Sequence, residues 1–141
     1  MLTVEQTSLD AVMADPHYKF KSAHFRSVPG FDGLPDATIV ARFRAMLTSD
    51  PAHMMPGEKG SAVLPVHTAL EKIFGMPKEH TNFGYRDANE LALRKYGPLT
   101  QRYISQIKTR YKILNHLKAI DLIIGKKTIR ALDFILWKNG K

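Results

Sequence analysis

Two short segments of this chain share one pattern: an apolar residue, a glycine, two residues, a threonine, and an apolar residue four positions after the threonine. They are Tyr96-Gly97-Pro98-Leu99-Thr100 followed by Ile104, and Ile124-Gly125-Lys126-Lys127-Thr128 followed by Leu132. Such a unit reads as a turn that enters a helix. Glycine permits a positive-φ or crowded backbone, and the threonine can satisfy amides left over in the first helical turn. The apolar residue ahead of the glycine pins the turn to the core.

The rest of the chain also follows the helical period. Leu9, Val12 and Met13 share one side of a short helix within residues 3–14, which Pro16 stops. Pro29, Gly30, Asp32 and Gly33 make His17 to Leu34 an irregular link. Asp36 is placed as the N-cap of a helix over 36–48, with Ile39, Val40, Phe43, Met46 and Leu47 on its apolar side. A loop over 49–60 leads to a helix over 61–74, striped by Val63, Val66, Leu70, Ile73 and Phe74 and stopped at Gly75. Residues 80–85 read as a loop and 87–96 as a short helix. Pro98 opens a helix extended to Lys118, with Tyr103, Ile104, Ile107, Tyr111, Leu114 and Leu117 as its apolar face. Asp121 to Gly125 is a brief apolar turn, and Lys126 to Trp137 forms the last helix, burying Ile129, Leu132, Phe134, Ile135 and Leu136. No alternating run of strand length stands out, so the fold class is all-α.

Around these turns the sequence resembles the three-helix peptidoglycan-binding domain family. Pro56-Gly57-Glu58-Lys59-Gly60-Ser61-Ala62-Val63, Val66-His67-Thr68-Ala69-Leu70 and Phe74-Gly75 follow that family's glycine-led first helix. The two Gly-x-x-Thr segments follow its later signatures, the second of them starting at Asp121-Leu122-Ile123. The chain departs from the pattern where His67 and Lys108 stand in place of Gln and Leu122 in place of Gly. The resemblance covers roughly residues 56–136. It implies a compact helical peptidoglycan-binding-like domain over 51–141, carrying an N-terminal helical extension over 1–50.

With 141 residues and 44% apolar side chains, the chain has the size of one ordinary domain. It contains no cysteine, which excludes disulfides, thiolate metal sites and a Cys nucleophile. Its six histidines show no pair at the spacing of a helical zinc site. Glu58, Glu71, Glu79 and Glu90 form no recognisable acid pair, and neither a Gly-x-Ser-x-Gly elbow nor a phosphate-binding loop is present. The expectation is therefore a protein that is not an enzyme and needs no cofactor.

The formal charge is +8, concentrated between Arg94 and Lys141, where Asp121 and Asp133 are the only acids. A basic surface favours polyanions. The resemblance implies peptidoglycan or another acidic polymer as partner. The ligand-binding candidates are Tyr96 and Tyr103 for sugar stacking, Thr100 and Thr128 at the turns, and Lys126 and Lys127 at a helix N-terminus. Two other readings stay open: a structural or adaptor subunit of a larger assembly, and a basic nucleic-acid-binding protein. No apolar stretch is long enough to span a bilayer, so no membrane insertion is expected. Met1-Leu2-Thr3-Val4-Glu5-Gln6 does not read as a secretory signal. A cell-wall role then implies delivery by a phage particle or an injection apparatus.

Overall fold

The computed structural model describes residues 1–26, 37–49, 52–75 and 90–141. The described residues are mostly helical and contain no strand, so the chain is all-α. The helices are α1 (Gln6–Ala14), α2 (Ala23–Arg26), α3 (Ala37–Met46), α4 (Leu64–Phe74), α5 (Pro98–Tyr111) and α6 (Lys126–Lys138). A 3₁₀ turn, Ser61–Val63, runs into α4. Two isolated antiparallel bridges, Met54 with Ile124 and Lys59 with Lys95, tie the segment before α4 to the entries of α6 and α5.

The helix ends follow local chemistry. Pro65 sits in the first turn of α4 and Pro98 in that of α5, where a missing N–H breaks no intrahelical bond. Gly75 closes α4 at φ 70°, the left-handed conformation that an L side chain resists. The expected Asp36 N-cap, the loop over 80–85 and the start of the helix expected over 87–96 lie outside the described residues. Within that last span, residues 90–92 are helical. The chain then turns through Arg94 at φ 51°, so the helix does not reach Tyr96.

Two further expectations are corrected. The link over 17–34 holds α2, because Ser22 caps it: the Ser22 hydroxyl accepts the Phe25 amide at 3.2 Å. And α5 ends at Tyr111 rather than at Lys118. Lys112 takes a left-handed conformation at φ 55°, with its N–H on the Lys108 carbonyl. Beyond it, the Asn115 side chain accepts the amides of Leu117 and Ala119, a local arrangement that competes with helix. Leu114 and Leu117 are consequently exposed instead of buried.

One core runs through the described residues. Leu9, Phe25, Phe43 and Met46 from the first fifty positions pack with Val66, Leu70, Ile107, Ile124, Leu132 and Ile135 from the rest. α6 packs against both parts, and it holds the first fifty residues with buried charge. The Arg130 guanidinium donates to the carbonyls of Met13 at 3.1 Å and Asp15 at 2.7 Å, and to that of Leu47 at 2.9 Å. It therefore meets carbonyl groups at the ends of α1 and α3, where a cation is favourable. Asp133, one turn on, accepts the amides of Lys21 at 2.9 Å and Ser22 at 3.0 Å, and the hydroxyls of Tyr18 and Ser22. Burial and the Asp133 carboxylate push the Tyr18 phenol far above its ordinary value.

Candidate functional site

The two Gly-x-x-Thr turns fold alike and are finished differently. In both, the glycine is the N-cap residue in an extended conformation, at φ −113° for Gly97 and −104° for Gly125. Neither adopts positive φ, and neither helix has a side-chain cap from its N-cap residue.

At α5 a carboxylate from the chain itself occupies the helix entry. Glu90, buried, accepts the amides of Leu99 at 2.8 Å and Thr100 at 2.6 Å together with the Thr100 hydroxyl. The helix N-terminus is positive and attracts an anion. Gly97 leaves room for this carboxylate: a Cβ would lie 2.4 Å from Oε1 of Glu90, which would have to shift. Thr100 thus does not cap the helix. Its hydroxyl links the Glu90 carboxylate to Nε2 of His67, 2.9 Å away, which also meets the Lys95 carbonyl at 3.0 Å.

At α6 no acidic residue lies in the first turn, and a Cβ on Gly125 would meet nothing within 4 Å. Here the helix entry opens on a cleft of about 540 Å³. It is lined by Gly125, Lys126, Lys127 and Thr128, by Ile113 to His116, and by His53, Lys108, Asp121 and Ile123. Lys108 is almost wholly buried, and its ammonium is 2.7 Å from Asp121 and 2.5 Å from the Ile123 carbonyl. Burial alone would raise the Asp121 carboxyl. The bonds from Lys108, Asn115 and the Ile123 amide outweigh it and hold the group below its ordinary value. Lys108 and Asp121 therefore neutralise each other, and Lys126 and Lys127 lie at the positive end of the helix.

Of the residues nominated from sequence, Lys126, Lys127 and Thr128 come together in this cleft. Lys127 is exposed, Lys126 half-buried and Thr128 buried. The other three lie elsewhere. Tyr96 has no exposed surface, and its hydroxyl donates to the Leu122 carbonyl. Thr100 is equally buried. Tyr103 is half-buried with its ring 4.8 Å from that of Phe74, and partial burial raises its phenol. His53, Asn115, His116 and Asp121 were not nominated. Asn115 carried a signal, since Asn favours side-chain turns, and Asp121 opens the segment that leads into the second Gly-x-x-Thr turn. Among the described residues no cluster of His, Asp and Glu could hold a metal ion. A larger cleft, about 670 Å³, lies between residues 16–20 and α3 and contains none of the nominated residues.

Comparison with protein-family models, with curated proteins and with solved structures gave no significant match.

Proposed function

We propose that this chain is a non-catalytic binding module for peptidoglycan, and that its ligand site is the cleft at the N-terminus of α6. One observation carries the reading. The two helix entries are built on the same Gly-x-x-Thr turn, but the first is filled by the Glu90 carboxylate while the second presents Lys126 and Lys127 to an open cleft. A carboxylate from a cell-wall stem peptide would take at α6 the position that Glu90 takes at α5. Helix dipole and ammonium groups favour an anion there. Leu114 offers apolar surface beside it for the aliphatic parts of such a ligand. The resemblance of residues 56–136 to the peptidoglycan-binding family supports the same class of ligand.

The test is co-sedimentation of the full chain with purified insoluble peptidoglycan, set against a Lys126→Gln/Lys127→Gln variant. Full-length protein is needed, because residues 1–50 contribute to the one core.

The adaptor reading has its own observation. Leu114, Leu117 and Ile120 are exposed on the loop between α5 and α6, as contact residues of an assembly subunit would be. The nucleic-acid reading rests on charge alone.

A further inference from the structure

Leu117, at 74% exposure, is the most exposed large apolar side chain among the described residues, and Ile120 and Leu114 beside it in sequence are also exposed. The loop that carries them is built rather than loose. Asn115 accepts the Leu117 amide at 2.9 Å and the Ala119 amide at 3.1 Å through its side chain. Its own amide donates to the Ala119 carbonyl at 2.9 Å, and the Lys118 amide returns to the Asn115 carbonyl at 2.9 Å. The Asn115 side-chain amide is anchored on Asp121 at 3.1 Å. This framework holds Leu117 in water, where an apolar side chain is unfavourable without a partner.

Residues 112–120 carry Lys112 and Lys118 and no acid, and the carboxylate of Asp121, next in sequence, is paired with Lys108. Leu114 and His116 also line the cleft that Lys126 and Lys127 line.

We infer that this loop is a docking tip for the surface of an anionic phospholipid bilayer. Leu114, Leu117 and Ile120 enter the boundary between headgroups and acyl chains, and the surrounding lysines meet lipid phosphates. Two arguments favour a bilayer over a protein. A stable protein interface draws on about 20–30 residues a side, far more than this tip offers, whereas a bilayer asks for no complementary shape. A second copy of the chain would bring like charges together. No helix among the described residues is long and apolar enough to cross a membrane, so the contact is peripheral. The inference does not depend on the glycan reading.

The test is sedimentation of the full chain with phosphatidylglycerol vesicles and, in parallel, with phosphatidylcholine vesicles. Leu117→Asp changes a side chain with almost no packing, so the fold is retained, as a thermal melt checks. Lys118 has φ 59°, a conformation that Asn tolerates, so Lys118→Asn with Lys127→Gln removes charge without strain. The expected result is binding to phosphatidylglycerol vesicles only. Leu117→Asp weakens it about ten-fold or more, and the charge variant weakens it and flattens its salt dependence. Absence of binding to either vesicle, equal binding to both, or binding unchanged by Leu117→Asp overturns the inference. So does concentration-dependent self-association lost in Leu117→Asp without any vesicle binding.

Discussion

The ammonium of Lys108 in α5 lies 2.7 Å from the carboxylate of Asp121, just ahead of α6. The pair lines the cleft at the entry of α6, beside Lys126 and Lys127. Lys108 is nearly fully buried whereas about a third of the Asp121 side chain is exposed, so removing the acid strands a cation more than it exposes surface.

Asp121→Asn should therefore lower stability at neutral pH, by roughly 1 kcal/mol given the partial exposure of the acid. The Asp121 pKa is held below its ordinary 3.8 in the folded chain. Its contribution is thus complete above pH 3.8 and is lost as pH falls through the lower folded value. Urea midpoints of both proteins should differ at pH 7 and converge in strong acid. Equal midpoints at pH 7 would show that the pair contributes nothing.

His67 gives a second pH signature. Its Nε2 hydrogen goes to the Lys95 carbonyl, and its Nδ1 is buried without a partner. Burial brings the imidazole from 6.5 down to about 4. A depressed pKa means that the unfolded chain binds the proton first. Stability is then whole above pH 6.5 and falls as pH drops from there towards about 4. His67→Gln should remove one proton from this dependence, about 1.4 kcal/mol per pH unit at its steepest. His24, also lowered to about 4 by burial, keeps its own share. Denaturation midpoints followed from pH 7 to about pH 4.5 test this, and an unchanged slope in His67→Gln refutes it.

The two N-cap glycines should respond oppositely to alanine. At Gly97 the new methyl would collide with the Glu90 carboxylate, which must retreat from the amides of Leu99 and Thr100. Gly97→Ala should cost about 1–3 kcal/mol. At Gly125 the backbone angles suit alanine and nothing lies within 4 Å, so Gly125→Ala should stay within about 0.5 kcal/mol. Thermal melts of the two variants decide it, and comparable losses at both positions would contradict the distinction.

Periodicity made most of the helices legible. Ile104, Ile107, Ile124, Leu132 and Ile135 are fully buried as their spacing requires, and Pro65, Gly75 and Pro98 mark helix ends by backbone chemistry alone. The end of α5 was not legible, because Leu114 and Leu117 continue the apolar spacing past Tyr111. A Lys in a left-handed conformation stops the helix, and beyond it the side chain of Asn115 holds Leu117, Ala119 and Asp121 in a local turn that apolar spacing does not reveal. The role of Glu90 was hidden for the same reason: it sits outside the Gly-x-x-Thr pattern and reaches it only in three dimensions. In the cleft, Lys126, Lys127 and Thr128 were adjacent in sequence and easily nominated. His53 and His116 line the same cleft from distant positions, which no spacing in the chain records.

The central claim is that the α6 cleft binds cell-wall material through an anion taken up by Lys126 and Lys127. Its most direct measurement is the fraction of full-length protein sedimenting with insoluble peptidoglycan at low and at moderate salt, for the native chain and for Lys126→Gln/Lys127→Gln. The account predicts that the native chain sediments at both salt concentrations and that the double variant stays in the supernatant with an unchanged thermal melt. Sedimentation of the variant equal to the native chain, or loss of native binding at moderate salt, would contradict it.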